Sequence, residues 1–225
     1  MPRVSVLFTS YNHRPYLREG LEGLLSQTFN DWEALLIDDG STDGSRDELT
    51  AFVRDASDPR LHLAFTPSNR GTYGALNYGL AQAKGEFVAI YNDDDVWLPE
   101  KLQRQIEMLD AHADIGLVHT NGWFIGAQSE RLEGVPLGFD FPKTPTGDLV
   151  LRLVRSNSII ASAVVARRIC FDQLGSFDER FFGSGDWDMW LRIAEHWKVG
   201  YLDEPLTLYR WHTSNASKKL DRIWQ

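Results

Sequence analysis

Three adjacent carboxylates, Asp93-Asp94-Asp95, follow directly on the apolar run Phe87-Val88-Ala89-Ile90-Tyr91. Side by side at the exit of a buried strand they repel one another, and the arrangement costs stability unless a cation shares the charge. The triplet therefore reads as a divalent-metal site. A second pair, Asp38-Asp39, ends another apolar run and precedes Gly40, whose missing side chain permits a tight turn. A third acid, Asp186, stands at the start of a segment with helical spacing, beside Trp187 and Trp190.

The elements that must position these acids can be read from the apolar pattern. Val4 to Phe8, Ala34 to Ile37, Leu61 to Phe65 and Phe87 to Tyr91 are near-continuous apolar runs, as expected of parallel strands covered on both faces. Tyr16 to Ser26, Arg46 to Arg54 and Tyr73 to Ala83 carry apolar residues at helical spacing between them. This βαβ series predicts an α/β fold with a doubly wound, mostly parallel sheet, whose ligands sit beyond the carboxyl ends of the strands. The polar clusters Thr9-Ser10-Tyr11-Asn12, Asp38 to Ser41 and Asn92 to Asp95 all fall at those ends. Further on, the pattern predicts a helix from Leu98 to His112, a strand from Ile115 to Phe124 and a long loop or lid over residues 126–146. A helix near Gly147 to Val154, a strand near Ser162 to Ala166, a helix from Asp186 to His196, and strands Val199 to Leu202 and Leu206 to Trp211 complete the series.

Composition narrows the partners. At 225 residues with 43% hydrophobic content the chain has the size of one ordinary domain. A net charge of −9, with Lys and Arg scattered, argues against nucleic acid or an anionic membrane as the main partner, although an intervening metal lets an acidic protein hold phosphates. No apolar stretch reaches the ~18 residues of a membrane span, and the N-terminus runs straight into a strand pattern. With its single Cys170, the chain reads as a soluble, cytoplasmic protein, and peripheral contact with the inner face of the membrane stays open. Seven of the eight Trp lie beyond residue 90, a density that suits either core packing or a sugar site.

Val4 to Asn12, Leu36 to Asp43, and Asn92-Asp93-Asp94-Asp95-Val96-Trp97-Leu98-Pro99 together resemble glycosyltransferase family 2, enzymes of the GT-A fold. Gly185-Asp186-Trp187-Asp188-Met189-Trp190-Leu191-Arg192 and Tyr209-Arg210-Trp211-His212 extend the resemblance over nearly the whole chain, and the compact bacterial SpsA-like type is the most similar. The resemblance implies an inverting, metal-dependent transfer of a sugar from a nucleoside diphosphate, a UDP-sugar by preference, to a hydroxyl of a glycan or glycoconjugate. It also implies a nucleotide-sugar-binding half over residues 1–125 and an acceptor-binding half over residues 126–225.

Roles follow from the same resemblance. Asp94 falls on the metal-binding position, with Asp95 and His212 as further ligands of Mn2+ or Mg2+ and Asp93 near the ribose. Asp39, with Asp38 second, accepts the N3–H of uracil, while Thr9 and Tyr11 bind the edge and face of that base. Arg70 is a candidate for the base or a phosphate, Asp186 for the general base, and Trp187 for an acceptor platform. The chain departs from the pattern in two places: Asn92 replaces the first Asp of the metal motif, and Gly185 replaces the Glu that usually precedes the base. Two other readings remain beside this one. A sugar-phosphate nucleotidyltransferase would want a Gly-rich loop after the first strand, where Thr9 to Arg14 has no Gly; a non-catalytic nucleotide-binding domain is suggested by the two departures.

Overall fold

A computed structural model describes residues 1–133, 141–213 and 215. Strands β1 (Val4–Ser10), β2 (Trp32–Asp38), β3 (Leu61–Phe65) and β4 (Phe87–Asn92) alternate with helices α1 (Arg14–Leu25), α2 (Ser45–Ala56) and α3 (Gly71–Leu80). Next come β5 (Val96–Trp97), α4 (Lys101–Ala111), β6 (Ile115–Ile125) and α5 (Val150–Leu153). A 3-10 turn, Ala161–Ala163, leads into β7 (Val164–Arg167), α6 (Arg168–Leu174), α7 (Gly185–Ala194) and β8 (Lys198–Arg210).

All eight strands form one sheet in the order β3-β2-β1-β4-β7-β6-β8-β5. The first four pair in parallel, and β6 runs parallel to β8, while β7 and β5 join in antiparallel sense. The apolar runs explain why. Along β1, Val4, Val6 and Phe8 face one core with α1, α2 and α4, whereas Leu7 faces the other with α3, α6 and α7. β4 alternates likewise, Phe87, Ala89 and Tyr91 against Val88 and Ile90. A sheet with both faces covered needs strands that are near-continuously apolar.

Several boundaries differ from the sequence expectation. The two strands expected from Val199 to Trp211 are one, because β8 continues through Pro205 by a shift of register that pairs Thr120 with Leu202 but Asn121 with Pro205. The helix expected over 147–154 is the single turn α5, and the one expected from Leu98 begins at Lys101. Within the expected loop 126–146, Arg131 pairs back onto Ile125 at the end of β6, and residues 134–140 lie outside the described residues. Among the described residues no helix is long and apolar enough to cross a membrane.

Candidate metal and nucleotide site

The strand tips bring the acids together. In the parallel register Ser10 stands opposite Asp38 and Thr9 opposite Asn92, so β1, β2 and β4 deliver their polar ends side by side. The loop after β4 is held from below: Trp97 stacks on Tyr91 at 3.9 Å with 4° between planes, donates its indole N–H to Ser162 O, and has the buried Lys101 ammonium over its ring. The hydroxyl of Tyr91 accepts the Trp97 N–H and donates to Gly20 O of α1. The turn 93–95 is thus clamped between α1 and the sheet.

Asp94 Oδ2 lies 3.0 Å from His212 Nε2, and His13 joins them, one ligand atom from each residue falling within 4.8 Å of the others. Two ligand atoms ~2.1 Å from one ion and at right angles to each other are about 3.0 Å apart, so the Asp94–His212 spacing fits a small octahedral cation. His13 is the member that sequence reasoning missed. Its Nδ1 sits 2.8 Å from Asp93 Oδ1, the arrangement in which a carboxylate orients a metal-ligating imidazole through its other nitrogen. Burial works against a charged His13 ring, yet the hydrogen bond and charge of Asp93, with Asp94 and Asp43 behind it, raise its pKa to about 9. Ligation by this ring would therefore release a proton at neutral pH.

Asp95, expected as a further ligand, is not one of these three residues. Its side chain is 1% exposed, Oδ1 accepts the Arg210 N–H at 2.9 Å, and burial followed by the charge of Asp94 pushes its carboxyl well above the ordinary range. Asp93 likewise turns toward His13 and is almost fully buried.

Arg210, fully buried, ties the turn to three elements. Its guanidinium donates to Asp94 O at 2.7 Å, to Gly126 O at 3.0 Å, to Ser129 Oγ at 2.9 Å and to Glu19 at 2.6 Å, and lies over the Tyr16 ring. Asn215, buried as well, donates to Arg210 O and accepts the His212 N–H, which fixes the backbone under the imidazole. Replacement of Arg210 by Met would leave the carbonyls of Asp94 and Gly126 without their donor, while Glu19, partly exposed, keeps the Ser129 hydroxyl. We expect a loss of about 2 kcal/mol in urea unfolding.

The second acidic pair is divided between tasks. Asp39 accepts the Thr66 hydroxyl at 2.8 Å and the Arg70 backbone N–H at 3.0 and 2.9 Å, beside Gly40 at φ 76°. Asp38 is fully buried and its Oδ1 accepts Ser41 N–H and Arg46 Nε–H, so the structure directs it to α2. The guanidinium of Arg70 faces Glu179 at 3.6 Å. Thr9 is nearly buried at the end of β1, whereas the Tyr11 ring is 44% exposed. Asn12, in the left-handed region at φ 55°, accepts the Thr42 N–H and so stitches the first loop to the second.

Asp186 lies in the first turn of α7, where the helix dipole favours a negative charge. It is half-buried, and burial raises its pKa despite hydrogen bonds from the Trp187 N–H, Tyr73 and Asn157. Trp187 donates its indole N–H to Leu153 O at 2.7 Å, and Trp190 is core. Asp188 pairs with Arg192 on the far side of the turn.

The chain matches the family model of Glycosyl transferase family 2 over residues 5–150. It belongs to that family. Among relatives, an uncharacterized glycosyltransferase of Nostoc is 41% identical over 117 residues, covering 52% of this chain and 36% of the relative. The putative glycosyltransferase EpsE of Bacillus subtilis is 28% identical over 97% of this chain and 76% of its own length. The putative teichuronic acid biosynthesis glycosyltransferase TuaG of the same organism is 38% identical over 48% of this chain. The chain spans 36% of the Nostoc relative and 42% of TuaG. Staphylococcus aureus TarS 1–349, solved with UDP-GlcNAc, superposes with a TM-score of 0.79 at 21% identity, over 97% of this chain and 61% of that one. The mannosyltransferase PcManGT of Pyrobaculum calidifontis, solved with GDP-Man and Mn2+, gives 0.74 at 20% identity, over 96% and 59%. These likenesses establish the GT-A fold.

Proposed function

We propose that the chain is the catalytic part of an inverting glycosyltransferase that moves a sugar from a UDP-sugar to a hydroxyl of a glycan or glycoconjugate acceptor. The observation that carries this reading is the donor set Asp94, His212 and His13 at the strand tips of a family 2 chain. Asp94, His212 and His13 would hold a divalent cation, Mn2+ or Mg2+, whose positive charge would stabilise the departing diphosphate.

The remaining work falls to side chains of the protein. Asp93 orients His13, and Arg210 fixes the backbone at Asp94. Asp39 takes the N3–H of uracil, with Asp38 bracing the loop behind it; Tyr11 stacks on the base and Thr9 reaches its edge. Arg70 turns from Glu179 to the base or a phosphate when the donor binds, and Trp187 lines the acceptor side. Asp186 accepts the proton of the attacking hydroxyl, a role that suits a carboxylate whose pKa burial moves toward neutrality. Residues 1–125 hold the donor and residues 126–225 the acceptor, and the reaction belongs to the cytoplasm or the inner membrane face.

A thermal-shift panel of UDP, GDP, dTDP and their sugars with manganese tests the donor. UDP compounds are expected to give the largest rise in Tm. A larger rise with GDP-mannose would overturn the uracil assignment, and no rise with any nucleotide would overturn the whole reading.

A further inference from the structure

The carboxylate of Asp186 is held by a phenol. Tyr73, on α3, places its hydroxyl 3.0 Å from Asp186 Oδ1, while the Asn157 amide stands 3.5 Å from Oδ2, at the limit of a hydrogen bond. The Tyr73 ring is 7% exposed and stacks on Phe177 with centroids 6.0 Å apart. The same ring lies against Gly185. A Cβ built at residue 185 would lie 2.8 Å from both Cδ2 and Cε2 of that ring. Carbon atoms pack at about 3.5–4.0 Å, so any side chain at residue 185 would push the ring away.

We propose that Tyr73 is the positioning residue of Asp186, fixing the orientation of its carboxylate and favouring its ionised form, and that Gly185 is present to admit the ring that does so. The inference rests on Asp186 acting as the base under the proposed function.

The surroundings leave this role to the phenol. From α7 itself Asp186 receives the Trp187 N–H, from the segment after α5 it faces Asn157, and from α3 it faces Tyr73. The nearby charges are already paired: Arg70 with Glu179, and Arg192 with Asp188. Burial and the charge of Asp186 push the Tyr73 hydroxyl above its usual range, so it stays protonated and can only donate to the carboxylate. The hydrogen bond stabilises the anion and opposes the upward push of burial on Asp186. In a family whose usual pattern places a Glu before the base, Gly185 therefore does not leave Asp186 unsupported; the support comes from a different helix.

Tyr73→Phe keeps the ring over Gly185 and removes one oxygen. The Asp186 carboxyl carbon can be followed by 13C NMR in the full chain, with its resonance identified by its absence in Asp186→Asn. In Tyr73→Phe its pKa should rise by about one unit. With the UDP-sugar that the donor panel selects, kcat should fall about tenfold and the acidic limb of the pH profile should move up by the same unit. UDP binding in manganese should stay within about twofold. Gly185→Ala, which displaces the ring by its Cβ, should give the same pKa shift. An unchanged Asp186 titration in Tyr73→Phe overturns the inference, and so does a fall in UDP affinity equal to the fall in kcat. If Asp186→Asn abolishes transfer while Tyr73→Phe changes nothing, Tyr73 alone is wrongly assigned. If Asp186→Asn retains transfer, the base assignment fails and this inference goes with it.

Discussion

Asp186→Asn should lower transfer by about 10³-fold while leaving UDP affinity within about twofold. Asparagine has the shape of the carboxylate and can still accept the Tyr73 hydroxyl through Oδ1, so the site should keep its geometry. What the amide cannot do is take a proton from an acceptor hydroxyl. Burial already disfavours the charge at this position, so the neutral variant should be no less stable than the parent in thermal unfolding. Asp188 offers no replacement base, because its carboxylate is engaged by Arg192 at 3.0 Å. Turnover close to the parent value would remove Asp186 from the mechanism.

The second large effect concerns the cation. In calorimetric titrations with manganese, Asp94→Asn should weaken UDP binding by about 10²-fold, or about 2.7 kcal/mol, and EDTA should impose the same loss on the parent chain. Asp94 is the only carboxylate in the His13, Asp94 and His212 group, so its loss leaves two imidazoles to hold the ion. Chelation should have almost no further effect on the Asp94→Asn variant. The contrast with Asp95→Asn is informative, since Asp95 is buried under the turn and bonded to the Arg210 backbone. That variant should keep the dependence of UDP binding on manganese. Equal UDP affinities with and without EDTA in the parent chain would discard the metal site.

The sheet was legible because strands buried on both faces are near-continuous apolar runs, and β1, β2 and β4 are, apart from the buried pair Ser5–Glu33 and the strand tips. Their polar tips were legible for the complementary reason: charge at the end of such a strand needs a use. What escaped was decided by contacts distant in sequence. β5 is two residues long and exists because Val96 and Trp97 pair with β8. The short helix α6 carries no capping residue in its sequence, Arg167 preceding it without a side-chain cap. β8 read as two strands because Pro205 interrupts the apolar pattern, although a shift of register absorbs it. His13 read as one polar residue of a loop until the fold placed it against Asp93, 80 residues away. Tyr73 read as an apolar helix position, and only its approach to Asp186, 113 residues on, gives its hydroxyl a task. Asp93, Asp94 and Asp95 look alike in sequence, whereas the turn brings Asp94 to His212, Asp93 to His13 and Asp95 to the Arg210 N–H. The family resemblance, which supplied the expected residue roles, passed over both His13 and Tyr73.

The account depends on one cation held by Asp94 and histidines at the tips of a parallel sheet. Anomalous diffraction from a crystal soaked with manganese and UDP addresses that directly. A single strong peak within about 2.3 Å of Asp94 Oδ2 and His212 Nε2, touching the diphosphate of a UDP whose uracil meets Asp39, is the predicted result. A peak held by other residues, or a UDP seated away from Asp94, would contradict it.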